Sequence, residues 1–193
     1  MKLLLARHGE SAGNAKGLVF GWSDWPLTGR GRAQAEALAG RLGGVSFSRV
    51  VCSALRRARE TADICAQLRG LPVEIDPDLN EQRMGRWEDL TFDEARASDP
   101  AAFQAMLDDW TRNPPPDGES FDALAARAGK ALSRVIADGR DALVVAHGGT
   151  IAAALVTLGR MSREAALRLD LPCGGFIETD WEPEQYGTNG RNE

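Results

Sequence analysis

The sequence has few cysteines and no long hydrophobic run. Cys52, Cys65 and Cys173 are odd in number, widely spaced and form no C-x-x-C pair, so neither a disulfide framework nor a zinc knuckle is expected. No run approaches the length of a membrane span, and the apolar start lacks the length and cleavage site of a secretory signal. We therefore expect a cytoplasmic protein with reduced thiols.

An excess of positive charge is also missing. The formal net charge is -5, which argues against a nucleic-acid partner because phosphate contacts favour a basic face. A small anionic substrate is still compatible with this charge, since a pocket can be positive on an acidic protein. The 193 residues are 43% hydrophobic and 26% charged, which is typical of one soluble domain with a sizeable core. We expect no membrane partner, and a homodimer is left open.

Short apolar strands alternate with helices along most of the chain. Strands are predicted at residues 3–6, 50–52, 72–75, 142–146 and 175–181. Helices are predicted from an N-cap at Thr28 to residues 43–44, over 56–68, from an N-cap at Ser120 to about 137, and over 151–158. This alternation predicts an α/β fold with a mostly parallel sheet and helices on both faces.

The middle of the chain, residues 76–118, interrupts this pattern. It has no clear strand, is rich in Asp, Glu and Trp, and ends near three consecutive prolines. We predict a lid-like excursion that covers one edge of the sheet, too short and too polar to have its own core. The expected organisation is a single domain over residues 1–182, followed by a loose polar tail at 183–193.

Both histidines of the sequence, His8 and His147, follow an apolar strand, and each is followed by a glycine. A single histidine in such a place is more often a core or surface residue. Two of them at the carboxyl ends of strands, where ligands bind in an open α/β sheet, predict one shared site. A helix starting at about Gly149 would also aim backbone N–H groups at an anion beside His147.

Charged residues lie at similar breaks in the pattern. Arg7 precedes His8 and suits an anionic ligand. Arg56 and Arg57 begin the helix after the second strand, whereas Arg59 is interpreted as a solvated side chain. Glu81 opens the irregular middle section, and alone it would be read as a surface charge. The site otherwise lacks an obvious general acid, which makes Glu81 a candidate.

Four motifs follow one another along residues 3–158. They are LARHGES at 5–11 with Asn14, SALRRARETA at 53–62, LNE at 79–81 followed by GRWE at 85–88, and VAHGG at 145–149. In kind and order they resemble the motifs of the histidine phosphatase superfamily, the phosphoglycerate-mutase-like proteins. The resemblance implies a three-layer α/β/α sandwich and catalysis through a phosphohistidine.

The resemblance also implies roles for individual residues. His8 would be the nucleophile, Glu81 the proton donor, and His147 a third catalytic residue. Substrate-binding residues would be Arg7, Asn14, Arg57 and Gly148. The chemistry needs no cofactor and no metal, because positive side chains compensate the charge of the transferring phosphoryl group.

Within the superfamily, the sequence looks similar to the α-ribazole phosphatases of cobalamin biosynthesis at residues 44–47, 51–53, 79–88 and 109–121. Such an enzyme removes the 5′-phosphate of a benzimidazole nucleotide, and Trp22, Trp25, Trp87 or Trp110 could stack on its planar base. The candidate specificity residues are Trp22, Ser23, Arg83 and Trp87. Residues 171–175 match this subgroup only loosely.

Other functions are left open by the sequence. The superfamily also contains phosphoglycerate mutases and broad-specificity sugar or nucleotide phosphatases. The short, acidic stretch at residues 88–117 disfavours the mutase. A metal-dependent hydrolase is disfavoured because no H-x-H or H-x-x-x-H spacing is present. A binding protein that has lost catalysis is disfavoured because every candidate catalytic residue is retained.

Overall fold

The structure, a computed structural model, describes residues 1–181; the tail predicted at 183–193 lies outside them. A five-stranded sheet forms its centre, with the strand order β4-β3-β6-β1-β7. The first four strands in this order are parallel, and β7 pairs antiparallel with β1 at one edge. The strands are β1 (Lys2–Arg7), β3 (Arg49–Cys52), β4 (Val73–Ile75), β6 (Ala142–Ala146) and β7 (Phe176–Asp180).

Helices cover both faces of the sheet, which confirms the predicted three-layer α/β/α sandwich. The helices are α1 (Ala12–Ala15), α2 (Gly29–Arg41), α3 (Arg56–Gln67), α4 (Phe92–Ser98), α5 (Pro100–Asp108), α6 (Phe121–Ala137), α7 (Gly148–Thr157) and α8 (Arg163–Leu167). The cores against the sheet are formed by α2 and α3 on one face and by α6 and α7 on the other. Thr28 and Ser120 cap α2 and α6 as predicted, each accepting a hydrogen bond from a backbone N–H of the first turn. In the described residues, no helix is long and apolar enough to cross a membrane.

The two faces of β1 pack against different layers of helices. Leu3 and Leu5 point into a core formed with α6 and α7, whereas Leu4 and Ala6 point into a second core formed with α2 and α3. All four side chains are fully buried. A strand covered on both faces reads as a continuous apolar run, which is the pattern that the sequence has here.

The middle section differs from its prediction. It does have a short strand, β5 (Leu90–Thr91), which pairs with β2 (Leu18–Val19). It also has a small core of its own, because Trp87 and Phe103 are both 1% exposed and pack edge to face, with ring centroids 5.5 Å apart. The expectation of a section too polar for a core was wrong, because a few large aromatic side chains bury much apolar area.

The register of the sheet positions the site. Arg7 lies opposite Ala146 in the pairing of β1 with β6, so His8 and His147 leave the sheet side by side. Cys52 lies opposite Val145 in the pairing of β3 with β6, so the turn that leads into α3 leaves at the same edge. The three motifs that end these strands therefore meet at the carboxyl end of the sheet.

Candidate active site

His8 is held as a neutral imidazole with its lone pair on Nε2, where it accepts a hydrogen bond from Arg57. Its Nδ1 lies 2.6 Å from the carbonyl oxygen of Gly9, which can only accept, so Nδ1 carries the proton and Nε2 has the lone pair. Burial lowers the pKa of His8 well below 6.5, and the positive charge of Arg57 lowers it further. A buried, neutral imidazole of this kind is suited to nucleophilic attack.

His147 lies beside it as the opposite tautomer. The ring centroids of His8 and His147 are 5.0 Å apart, and Nε2 of His147 lies 2.8 Å from the hydroxyl of Ser53. Ser53 gives its own proton to Oδ1 of Asn80 at 2.9 Å, so Nε2 of His147 must be the donor in this chain. Burial lowers the pKa of His147 well below 6.5, with Arg57 the next largest cause.

The second ring nitrogen of His147, Nδ1, is buried and has no partner among the described residues. A buried polar atom without a partner calls for an explanation such as a catalytic role. A phosphoryl oxygen that carries a proton could share it with this nitrogen, and a dianion would favour a second proton on the ring. His147 is therefore placed to hold a protonated oxygen of an anion.

Arg57 is the buried cation of the site. Its Nε donates to Nε2 of His8 at 3.2 Å, and its terminal nitrogens donate to the carbonyl oxygens of Ser23 and Gly21 at 3.0 and 2.7 Å. The guanidinium also lies 4.8 Å from the ring centroid of Phe20. Burial lowers its pKa to about 10, which leaves it charged at neutral pH. Each terminal nitrogen keeps a second N–H that can reach an anion.

Arg7 and Asn14 bring further donors to the same place. Arg7 donates from Nη1 to the carbonyl of Leu171 at 2.7 Å, while its buried Nε has no partner among the described residues. Asn14 accepts through Oδ1 from the N–H and hydroxyl of Ser11, so its amide nitrogen is the end available for donation. Gly148 begins α7 beside Arg7, where a Cβ would lie 4.0 Å from Arg7 Nε.

Glu81 supplies a carboxyl group beside these donors. Its Oε1 accepts from the N–H of Gln82 and lies 3.0 Å from the hydroxyl of Thr150. Gly149 in α7 leaves room for this carboxylate, because a Cβ there would lie only 2.9 Å from Oε1. A carboxyl group at the mouth of an anion site can donate a proton to a leaving group or take one from water.

Two chambers meet at Glu81. The His8 chamber has a volume of about 220 Å³ and is lined by Arg7, His8, Asn14, Leu18, Val19, Phe20, Arg57, Glu81, Met84, Phe92 and Met106. The Trp110 chamber has a volume of about 380 Å³ and is lined by Arg7, Glu81, Gln82, Met84, Met106, Leu107, Trp110, Gly148, Gly149, Ala152, Ala166, Leu169, Asp170 and Leu171. The walls of both chambers are mostly apolar; the first also contains the candidate nucleophile His8 with the donors Arg7, Asn14 and Arg57.

The structure thus brings together the seven residues predicted for catalysis and phosphate binding. It does not place the predicted specificity residues Trp22, Ser23, Arg83 and Trp87 in the site. None of these four lines either chamber. Trp87 is buried in the core of the middle section, and the guanidinium of Arg83 stacks on Trp22 outside the chambers, 4.1 Å from its ring centroid.

Two of these residues, Trp22 and Ser23, support the site from outside the chambers. Trp22 donates from its indole to the backbone carbonyl of Glu81 at 2.7 Å. Ser23 accepts from Arg57 through its carbonyl and donates its hydroxyl to Asp89. The sequence does not predict these contacts, because they involve backbone carbonyls, which every residue has.

Among the tryptophans considered for stacking, Trp110 is the one that lines a chamber; its ring packs against Phe121, with centroids 5.1 Å apart. Met84, Met106 and Leu171 were not predicted, because an apolar side chain on a chamber wall looks the same in a sequence as one in a core. Within residues 1–181, no group of three or more His, Cys, Asp or Glu side chains could hold a metal ion.

Known proteins share both the sequence and the fold. The adenosylcobalamin/alpha-ribazole phosphatase of Escherichia coli is 37% identical over 182 residues, covering 92% of this chain and 90% of that protein. The 2,3-bisphosphoglycerate-dependent phosphoglycerate mutase of Bradyrhizobium diazoefficiens is 35% identical over 184 residues, covering 89% and 87%. The crystal structure of the alpha-ribazole phosphatase from Shigella flexneri has a TM-score of 0.84 at 34% identity, covering 94% and 91%.

The profile of the histidine phosphatase superfamily (branch 1) matches residues 3–193. This span includes all four motifs and both chambers. Together with relatives that match most of both chains, it shows that the chain is a phosphatase and belongs to branch 1 of the histidine phosphatase superfamily.

Proposed function

We propose that this phosphatase removes the 5′-phosphate of α-ribazole 5′-phosphate, a benzimidazole nucleotide, through a phosphohistidine on His8. The observation that carries the proposal is the Trp110 chamber, an apolar and partly aromatic space that opens beside the phosphate-binding residues. The named activity of the Escherichia coli relative, at 37% identity, supports the same substrate.

In the first step, the phosphate group lies in the His8 chamber and the nucleoside extends into the Trp110 chamber. Nε2 of His8 attacks phosphorus, the N–P bond forms, and the P–O bond to the ribose breaks. Glu81 in its protonated form transfers its proton to the leaving oxygen. Arg7, Arg57, Asn14 and His147 hold the other phosphoryl oxygens and compensate their charge.

In the second step, water attacks the phosphohistidine. Glu81, now a carboxylate, takes a proton from this water, the N–P bond breaks, and inorganic phosphate leaves with His8 neutral again. The tautomer of His8, fixed by Gly9, presents the lone pair to phosphorus in every cycle. Each group is thereby restored at the end of the cycle.

The charge of the Trp110 chamber favours a neutral leaving group. Among its described lining residues, Arg7 is the one cation, and Glu81 and Asp170 are acidic. A phosphoglycerate leaving group carries a carboxylate, which Asp170 would repel, whereas a benzimidazole nucleoside is neutral and planar. Aromatic stacking on Trp110 and contact with the two methionines would stabilise such a base.

The experiment compares α-ribazole 5′-phosphate, ribose 5-phosphate and 3-phosphoglycerate as substrates. Burial of the base predicts a kcat/KM for α-ribazole 5′-phosphate that exceeds that of ribose 5-phosphate by about 10- to 100-fold. Trp110→Leu should reduce this ratio and leave ribose 5-phosphate hydrolysis nearly unchanged. A preference for 3-phosphoglycerate with phosphate transfer between its hydroxyls would instead establish a mutase, as in the Bradyrhizobium relative.

A further inference from the structure

Arg127, in the second turn of α6, uses all five of its N–H donors on other parts of the protein. Nε and Nη2 donate to the two carboxylate oxygens of Glu119, each at 2.7 Å. Nη1 donates to the backbone carbonyls of Asp78 and Asn80 at 2.9 and 2.6 Å, and Nη2 also donates to the carbonyl of Glu81 at 2.8 Å. An arginine has five N–H groups, so none is left for a substrate.

Three of these five hydrogen bonds end on one short loop, the loop that carries Glu81. The pair of Arg127 and Glu119 is mostly buried, with 17% and 12% of the side chains exposed. The loop is therefore fixed through its carbonyl oxygens to α6, and the position of the Glu81 side chain depends on that attachment. Charge-assisted bonds of this kind are stronger than those between neutral groups.

Contacts from the other side make the position of Glu81 sensitive to small shifts. Trp22 donates to the same carbonyl of Glu81 that Arg127 binds. The Thr150 hydroxyl lies 3.0 Å from both the Asn80 carbonyl and Oε1 of Glu81. A movement of the loop away from α6 would disturb these contacts and displace the carboxyl group from the chamber mouth.

We propose that Arg127, oriented by Glu119, is a positioning residue for proton transfer by Glu81. The proposal rests on the proposed role of Glu81 as the proton donor. Proton transfer needs the donor and the leaving oxygen within hydrogen-bond distance, and a misplacement of about 1 Å can cost about 100-fold in rate. Lysine cannot replace Arg127, because it has three donors on one atom and cannot reach five acceptors.

The test measures release of the leaving group in a single turnover, with enzyme in excess over substrate. Phenyl phosphate loses a basic phenolate that needs a proton, whereas 4-nitrophenyl phosphate loses a stable anion that does not. Arg127→Lys should slow release from phenyl phosphate by about 100-fold and release from 4-nitrophenyl phosphate by about threefold or less. Glu119→Gln, which removes one acceptor and keeps the shape, should show a smaller difference in the same direction.

Arg134 provides the matched control. It lies two turns further along α6 and binds the carboxylates of Asp76 and Asp78, both at 2.7 Å, but contacts no carbonyl of the Glu81 loop. Its side chain is 52% exposed. Arg134→Gln should leave both rates close to those of the unmodified enzyme.

The Glu81→Gln variant distinguishes a failure of the proton-donor role of Glu81 from a failure of the positioning role of Arg127. If Glu81→Gln slows both substrates equally, Glu81 is not the proton donor, and the positioning role of Arg127 falls with it; the substrate and the role of His8 are tested separately. If Glu81→Gln discriminates between the substrates but Arg127→Lys and Glu119→Gln slow both equally or neither, only the role of Arg127 is overturned. A selective loss with phenyl phosphate in all three variants supports the inference.

Discussion

At the scale of single residues, the site depends on two histidines that are buried, neutral and opposite in tautomer. The Gly9 carbonyl makes Nδ1 of His8 the protonated nitrogen, while Ser53 and Asn80 make Nε2 of His147 the protonated nitrogen. The two rings, with centroids 5.0 Å apart, thus differ in which nitrogen has the lone pair. One has a lone pair for attack on phosphorus, and the other has an unpaired nitrogen for an oxygen.

The tautomers can be observed directly, because the sequence contains only two histidines. In the ligand-free, untagged protein, ¹⁵N NMR of the imidazoles should show one ring protonated at Nδ1 and the other at Nε2. Both should remain neutral at pH 6, since burial and the nearby arginines lower both pKa values well below 6.5. Two rings of the same tautomer, or a charged ring at pH 6.5, would contradict this description.

At this scale the sequence predicts the reacting residues better than their supports. His8 and His147 can be identified because each follows a strand within a motif, and Arg57 because it lies at the start of the helix after a strand within another motif. Arg127 cannot, because its partners are backbone carbonyls that only the folded loop brings together. Trp87 was expected near the substrate, yet its indole donates to Ser98 inside the middle section. A tryptophan in a sequence does not reveal which of these places it occupies.

At the scale of secondary structure, the first turn of α7 packs closely against the carboxyl group of Glu81, the candidate proton donor. Gly149 lies where any Cβ would come within 2.9 Å of Oε1 of Glu81, a distance that forces one of them to move. The carboxyl group is the end of a flexible side chain, so it would move more easily than the helix. The glycine here is explained by close approach and needs no unusual backbone angle.

Gly149→Ala should therefore reduce activity without unfolding the protein. A helical Gly→Ala change is worth up to about 1 kcal/mol in favour of the folded state, while displacement of Glu81 should lower kcat by about 10- to 100-fold. Urea unfolding and steady-state kinetics measure the two effects. Gly40→Ala in α2, where a Cβ meets nothing within 4 Å, is the control and should keep full activity. Unchanged kcat in Gly149→Ala would refute the coupling.

The regular elements could be predicted because each has a local signal. The strand Ala142–Ala146 is an uninterrupted buried run, and α6 follows a serine cap with a strongly amphipathic pattern. The two-residue strands β2 and β5 have no such signal, because their pairing joins residues about 70 positions apart. The small core of the middle section was not predicted for the same reason. It includes Val19, which lies far from Trp87 and Phe103 in the sequence.

At the scale of the whole molecule, two neutral histidines buried in the fold link stability to pH. On unfolding each regains a pKa near 6.5, whereas the folded pKa values lie well below this. Below pH 6.5 the unfolded chain therefore binds protons that the folded chain does not. The free energy of unfolding must fall as the pH falls through this range.

Urea unfolding in phosphate-free buffers should show this loss between pH 7 and pH 5. The slope should approach about 2.7 kcal/mol per pH unit for two protons. The carboxyl groups of Glu60 and Glu74 have lowered pKa values, so their own contribution is lost at more acidic pH. His147→Gln should reduce the slope by about half. Stability that does not change between pH 7 and pH 5 would show that the rings are charged in the folded protein.

The central claim is that His8 forms the covalent intermediate. The most direct test mixes the enzyme with a ³²P-labelled phosphomonoester, denatures it during turnover and maps the label. We expect an acid-labile, base-stable label on the peptide that contains His8, and no label in His8→Gln. Turnover without any labelled protein, or a label on another residue, would contradict it.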